Sequence, residues 1–168
     1  MPPFRKGPIE VDRHFTGEAL HELRDIGHGH RINIVDASYN IPRGARVIDY
    51  PGSSAEAFMG VVRLIPIEND FALIMDRDEK FQRDDPQGER TSGQAGRAFV
   101  EAASTLDSEG LDLELEWAYK DSESGPTCLE NSFYYEANFA RNRTFIKTID
   151  DLPFACASLV VGHSQRTG

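Results

Sequence analysis

The chain has 168 residues, of which 39% are hydrophobic and 27% are charged, and its formal net charge is −10 at pH 7. This length suits one domain with a real core, and the composition is that of a globular protein. The acidic balance, without a basic stripe, argues against nucleic acid as a partner. No apolar stretch is long enough to cross a bilayer, and the first 15 residues lack the apolar core of a signal peptide. We therefore expect a cytoplasmic protein without a membrane partner.

The first predicted elements are a helix and a strand that meet at a glycine-rich turn. The helix begins at its N-cap, Thr16, and runs to Ile26, with Gly27 as its stop. The sequence RINIVD then predicts a buried strand that ends on Asp36. Because carboxyl ends of strands in α/β sheets carry ligand-binding groups, Asp36 is a candidate site residue.

Helices and strands alternate through the rest of the chain. Ser53 and Glu56 form a capping box that opens the clearest helix, and Pro66 ends it. The other predicted elements are a loop over 41–52 with a short extended piece, strands over 71–76, 111–120, 145–149 and 154–161, a charged surface loop over 76–94, and helices over 95–106 and 128–142. This order predicts an α/β layered fold, with a mixed, mostly parallel sheet flanked by helices. We expect a single domain over residues 1–168, in which residues 1–15 are extended or flexible.

His28 and His30 stand two apart ahead of the first strand, and three interpretations apply. On an extended segment both imidazoles point to one side, as metal sites require, but the remaining histidines supply no recognisable third ligand. The two cysteines, Cys128 and Cys156, form no zinc or disulfide pattern. A turn that leads into a core strand is the simplest interpretation. The third is proton transfer, since a histidine just past a helix C-terminus has its protonated form favoured by the dipole.

The proton-transfer interpretation must bring His28 close to Asp36. Five residues of strand span roughly 16 Å, so spacing along the chain does not do this. Either the turn at Gly27–Gly29 curls back over the sheet, or a neighbouring subunit completes the site.

The stretch ELRDIGHGHRINIVDASYNIP, residues 22–42, resembles the opening of the ribose pyranase and fucose mutarotase (RbsD/FucU) family. That opening is a helix, Gly-His-Gly-Asp or Gly-His-Thr-Asp, an apolar strand, Asp-Ala and a proline. Residues 45–68, 129–138 and 154–168 are similar to later segments of the family. The resemblance implies an RbsD-like fold and an isomerase that interconverts the anomers or ring forms of a monosaccharide by acid and base catalysis, with no metal or organic cofactor.

The resemblance also implies roles for particular residues. His28 would be the catalytic proton donor and Asp36 a sugar-binding carboxylate, while Asn131, Tyr135 and Thr167 would contact the substrate. Family members assemble as rings, decamers or octamers, with the pocket between adjacent subunits. In such an assembly, His28 of one subunit would lie near Asp36 of the next, although the two residues are far apart within one chain.

Three positions depart from the family pattern. His30 replaces an acidic residue and is expected to be a solvent-facing turn residue. Asn131 falls where the family has arginine or histidine, with Arg143 as a competing match. The family's Tyr-x-Asn after the last strand has no match. Two alternatives to the isomerase follow: a catalytically weak carbohydrate-binding member of the same fold, and a metal-dependent enzyme that uses His28 and His30.

Overall fold

A computed structural model gives the structure of the chain and describes residues 14–67, 71–75, 94–117, 119–122, 125–128, 143–152 and 154–162. The helices within these ranges are α1 (Gly17–Arg24), α2 (Ser54–Leu64) and α3 (Gln94–Ser108). Each lies where the sequence predicts a helix. The predicted charged loop over 76–94 and the predicted helix over 128–142 lie outside the described residues, apart from Gln94, which begins α3, and Cys128, which ends a strand. None of the described helices has the length and apolar character that a membrane span needs.

Side-chain caps explain where α1 and α2 begin. The Thr16 hydroxyl accepts a hydrogen bond from the Ala19 N–H at 3.1 Å. At α2, the Ser53 hydroxyl accepts from the Glu56 N–H at 3.1 Å, and the Glu56 carboxylate accepts from the Ser53 N–H at 3.5 Å. These bonds satisfy donors that the first turn leaves unpaired. Both predicted caps are confirmed.

The end of α1 differs from the prediction by two residues. The helix ends at Arg24 with Asp25 as its C-cap, whereas the sequence predicted that it would run to Ile26. The Ile26 N–H donates to the Leu23 carbonyl at 3.4 Å, which closes a tighter last turn. Glycine disfavours helix, so the glycines that follow do not extend it.

The strands within the described residues are β1 (Arg31–Val35), β2 (Arg46–Asp49), β3 (Phe71–Ile74), β4 (Glu114–Trp117), β5 (Tyr119–Ser122), β6 (Gly125–Cys128), β7 (Arg143–Lys147) and β8 (Ala157–Val160). Six of these strands form the main sheet, in the order β2-β7-β1-β8-β3-β4, and β5 pairs with β6 in a separate sheet. The strand predicted over 111–120 is divided between β4, which pairs with β3 in the main sheet, and β5, which pairs with β6.

One strand of the main sheet runs against the others. β7 is parallel to both β1 and β2, and β3 is parallel to β4, whereas β8 is antiparallel to its neighbours β1 and β3. The predicted α/β fold with a mixed, mostly parallel sheet is therefore confirmed. Because of its direction, β8 begins at the carboxyl end of β1 and finishes at the amino end of β1.

β1 is buried on both faces of the sheet. Ile32 and Ile34 pack with the buried residues of the three helices, while Val35 packs on the other face with Phe145 and Cys156. Asn33 is fully buried as well, on the face that Val35 shares, so β1 is covered on both sides although its residues alternate between polar and apolar as far as Ile34. β1 is thus a buried strand whose two ends lie at the two edges of the sheet that carry the candidate site residues.

Candidate functional site

Asp36 lies at the carboxyl end of β1 and is buried, with 6% of its surface exposed. Its Oδ1 accepts two hydrogen bonds from Ser38, one from the N–H at 3.0 Å and one from the hydroxyl at 2.8 Å. These two bonds fix the carboxylate in a tight turn that follows the strand. Sequence reasoning did not single out Ser38, although an Asp with a Ser two residues on is a recognisable turn signal.

The second carboxylate oxygen of Asp36 faces Cys156. The Cys156 Sγ lies 3.6 Å from Oδ2, and the cysteine is fully buried. Burial first, and then the negative charge of Asp36, raise the pKa of the Cys156 thiol well above its ordinary value. The thiol therefore stays protonated and acts as a weak donor to Oδ2. Since an ionised carboxylate oxygen has two lone pairs, Oδ2 retains capacity for a stronger donor.

The second residue before Cys156 adopts an unusual backbone conformation. Phe154 has φ of 58°, in the left-handed region that non-glycine residues rarely occupy. Its carbonyl accepts from the Cys156 N–H at 2.7 Å, which closes the turn ahead of β8. Such strain persists only where the surrounding packing enforces it, and here it accompanies the placement of the thiol beside Asp36.

A hydrogen-bond network ties α2 to the same edge of the sheet. The Thr148 hydroxyl donates to the Val35 carbonyl at 2.8 Å and shares a bond of 3.0 Å with the Ser54 hydroxyl. The Asp150 carboxylate accepts from the Ser54 N–H at 3.0 Å. This network holds the first turn of α2 beside the carboxyl ends of β1 and β7.

His28 lies at the opposite edge, on an exposed turn ahead of β1. The neighbouring Gly29 has φ of 83°, which glycine adopts readily, and its N–H donates to the Val161 carbonyl at 2.8 Å. The Val161 N–H donates in return to the His30 carbonyl at 2.8 Å. This pair of bonds fixes the turn against the residue that follows β8. The turn is therefore held at the amino end of β1 and does not curl back over the sheet.

The structure keeps His28 and Asp36 apart within one chain. They lie beyond the two ends of β1, a strand that spans roughly 16 Å by ordinary strand geometry. α1 ends at Arg24, and the field of a helix dipole falls off within the last turn. His28 therefore lies beyond the part of the chain where that field is strong. Of the two ways expected to join these residues in one site, a turn that curls back over the sheet is therefore not the conformation of this chain.

His30 is half-buried, in contrast to the solvent-facing position expected for it. Its Nε2 shares a hydrogen bond of 2.9 Å with the hydroxyl of Thr144, which is fully buried on β7. Burial first, and then the charge of Arg46, lower the pKa of His30 below its ordinary value. Sequence reasoning missed Thr144 because it lies far from His30 along the chain.

The remaining candidate residues receive no test from the structure. Asn131, Tyr135 and Thr167 lie outside the described residues, and for Arg143 the structure describes only its place as the first residue of β7. Within the described part of the chain, no group of three or more His, Cys, Asp or Glu residues is placed to hold a metal ion.

Comparison with known proteins identifies the fold. The sequence matches no protein-family model and no curated protein. Solved structures similar to it include RbsD from Bacillus subtilis complexed with D-ribose, with 16% identity over 88% of this chain and 93% of that chain and a TM-score of 0.56. Fucose mutarotase from Streptococcus pneumoniae in complex with L-fucose matches with 16% identity over 92% of this chain and 97% of that chain and a TM-score of 0.61. FucU from Bifidobacterium longum matches with 18% identity over 90% of this chain and 96% of that chain and a TM-score of 0.63. The chain therefore has the RbsD/FucU-like fold, which confirms the fold expected from the sequence resemblance.

Proposed function

We propose that the chain is a monosaccharide isomerase of the mutarotase or pyranase type, acting in the cytoplasm on a fucose- or ribose-like sugar. The observation that carries this proposal is the pairing, on a fold shared with RbsD and fucose mutarotase, of an exposed imidazole at one end of β1 with a buried carboxylate at the other. His28 is exposed, which gives water access to its ring, as a general acid needs between turnovers. Asp36 has an oxygen, Oδ2, whose only donor among the described residues is the weak one of Cys156.

The proposed reaction is ring opening followed by closure. The protonated His28 donates to the ring oxygen while a base, either water or a side chain of the neighbouring subunit, takes the proton of the anomeric hydroxyl. The bond between the anomeric carbon and the ring oxygen breaks, and the open-chain aldehyde forms. Rotation and the reverse proton transfers close the ring in the other anomer or ring size. No electrons leave the sugar, and the reaction needs no cofactor.

Substrate binding in this proposal centres on Asp36. Two donors from Ser38 hold the carboxylate still, so that Oδ2 accepts a sugar hydroxyl without reorganising. Asn131, Tyr135 and Thr167 supply the further substrate contacts that the family resemblance assigns to them. Because His28 and Asp36 lie at opposite sheet edges, each pocket takes His28 from one copy and Asp36 from the next. The proposed assembly is a closed ring, a decamer or an octamer.

The proposal is tested by two-dimensional exchange NMR of anomer interconversion with fucose, ribose, galactose and glucose. The native protein is compared with His28→Ala and with the control His21→Ala, which removes an exposed histidine paired with Asp25 on α1. We expect His28→Ala to lower the exchange rate by at least about 100-fold, as for loss of a general acid, and the control to leave it unchanged. Equal rates in both variants would exclude His28 as the acid.

Two other outcomes would separate the alternatives. Exchange that chelator abolishes, in a protein that contains metal by elemental analysis, would favour a metal-dependent enzyme. A rise in melting temperature with sugar, without any acceleration of exchange, would favour a binding protein of the same fold.

A further inference from the structure

Three side chains on neighbouring strands meet at the amino edge of the sheet. Thr144 on β7 pairs in register with Arg46 on β2, and its hydroxyl shares the 2.9 Å bond with His30, which precedes β1. Thr144 thus stands between a cation and an imidazole on the same face of the sheet. His28, the proposed acid, belongs to the same turn as His30.

The hydrogen bond with Thr144 decides which ring nitrogen of His30 is available. Nε2 is engaged, and Nδ1 has no hydrogen-bond partner in the part of the chain that the structure describes. When the Thr144 hydroxyl donates to Nε2, the neutral ring carries its proton on Nδ1, and in the imidazolium both nitrogens carry one. In either of these forms His30 is held in position by Thr144 and Nδ1 is a donor for a ligand.

Arg46 provides the positive charge of this group. It is exposed, and it forms no ion pair with any carboxylate among the described residues. Its charge is the second cause, after burial, that lowers the pKa of His30. Arg31, by contrast, directs its guanidinium to Ser158 on the other face of the sheet at 2.9 Å. A cation with no carboxylate partner among the described residues, beside an imidazole that Thr144 holds in place, is suited to an anionic oxygen.

We propose that His30 and Arg46 form a subsite for the anionic group of the substrate, so that the sugar is an acidic one that bears a carboxylate or a phosphate. This inference rests on the proposed function, because it takes the anionic group to sit beside His28. The chain carries a net charge of −10, which repels an anionic ligand at long range. A local cation is therefore needed for such a substrate, and Arg46 supplies it with a planar, bidentate donor.

Matched sugar pairs test the substrate class. Galacturonate differs from galactose by a carboxylate, and glucose 6-phosphate differs from glucose by a phosphate. We expect the native protein to bind one charged sugar more tightly than its neutral partner, measured by calorimetry, and the pair that shows the preference identifies the anionic group. Arg46→Gln should reduce that preference roughly tenfold or more, as for a lost charged hydrogen bond. Arg43→Gln removes an exposed arginine that does not shift the pKa of His30 and should keep the preference.

A second readout does not require turnover. The pKa of His30, followed through its ring protons by NMR, should rise when the preferred charged sugar binds, because a bound anion favours the imidazolium. It should stay constant with the neutral partner. Neutral sugars that bind as well as charged ones, or a His30 pKa unmoved by both charged sugars, would overturn the subsite.

This experiment also separates failure of the subsite from failure of the proposed function. Preferential binding of a charged sugar with a shifted His30, but with no anomer exchange, would leave the subsite standing and contradict the isomerase. Exchange that depends on His28 but shows no charge preference would do the reverse.

Discussion

The Sγ atom of Cys156 lies 3.6 Å from Oδ2 of Asp36, and both side chains are buried. The thiol is the only protein donor to that oxygen among the described residues, while Ser38 supplies both donors to Oδ1. Within the described residues, Oδ1 of Asp36 therefore accepts two hydrogen bonds from Ser38, and Oδ2 accepts only the weak one from Cys156. In the proposed function, this asymmetry makes Oδ2 the oxygen that accepts a sugar hydroxyl, with the thiol beside it.

We predict that Cys156 is unreactive in the folded protein. Its burial and the adjacent carboxylate disfavour the thiolate, which is the reactive form. In a Cys128→Ser background, a disulfide reagent should modify Cys156 only on unfolding in urea, and raising the pH toward the ordinary thiol pKa should speed the native reaction little. Rapid modification of the native protein would show that this edge of the sheet opens readily.

The Thr148 hydroxyl should contribute measurably to stability. Thr148→Val keeps the shape of the side chain but removes the buried hydroxyl that bonds the Ser54 hydroxyl and donates to the Val35 carbonyl. The carbonyl keeps the backbone N–H of residue 148 at 3.1 Å, whereas the Ser54 hydroxyl loses this bond. We expect the free energy of unfolding in urea to fall by about 1–3 kcal/mol. The control is Thr105→Val, which removes an exposed hydroxyl bonded to the Glu101 carbonyl on α3 and should change stability by no more than about 0.5 kcal/mol. Equal effects of the two substitutions would show that the Thr148 network has no special weight.

His30 gives stability a defined dependence on pH. Its pKa is lowered in the folded state, so the unfolded chain takes up the proton first as the pH falls. The contribution of neutral His30 is fully present above its ordinary pKa of about 6.5 and is lost as the pH falls toward the folded value. Denaturation of the native protein and of His30→Gln between about pH 7.5 and pH 5.5 should show the native protein losing more stability. Parallel curves would contradict the burial of this imidazole.

Mixed oligomers test whether each site is built from two copies. His28→Ala and Asp36→Asn should each be inactive in anomer exchange when assembled alone. After the two variants are unfolded together and reassembled in equal amounts, roughly a quarter of the sites should combine an intact His28 with an intact Asp36 from a neighbouring copy. Recovery of about that fraction of the native rate is the expected result. No recovery, from a mixture shown to be assembled, would place both residues in one subunit's site.

A sugar-dependent melting temperature separates the roles of these two residues. Asp36→Asn should lose the rise in melting temperature that sugar causes, because it removes the charge on the oxygen proposed to accept a hydroxyl. His28→Ala should keep most of that rise while losing exchange. If the two variants behaved alike, the division between an acid and a binding carboxylate would be wrong.

Local patterns were sufficient to predict most of the fold. The cap at Thr16, the capping box at Ser53, and most strands of the main sheet follow from spacing and periodicity over a few residues, whereas β2 was expected only as a short extended piece in a loop. The end of β4 was not predicted, because the strand expected over 111–120 is divided between partners in two sheets, β3 and β6. A strand boundary of this kind depends on the sheet rather than on the strand's own sequence.

The site was predicted less completely, for a related reason. Asp36 was predicted to lie at the exit of β1, and it does. Its contact with Cys156 and the contact of His30 with Thr144 join residues that are 120 and 114 positions apart. No pattern in the sequence links such pairs, and they arise only when β7 and β8 are placed on either side of β1.

The direction of β8 gives the molecule a property that no single edge of the sheet has. The turn ahead of β8 brings Cys156 to Asp36, and the residue just past the strand, Val161, anchors the turn that carries His28. The length of β8 therefore sets the distance between the proposed acid, His28, and the proposed binding carboxylate, Asp36. In a closed ring, where each chain would give one half to each of two pockets, that distance becomes the spacing of successive pockets around the ring. A change in the register of β8 would then be transmitted to both pockets at once.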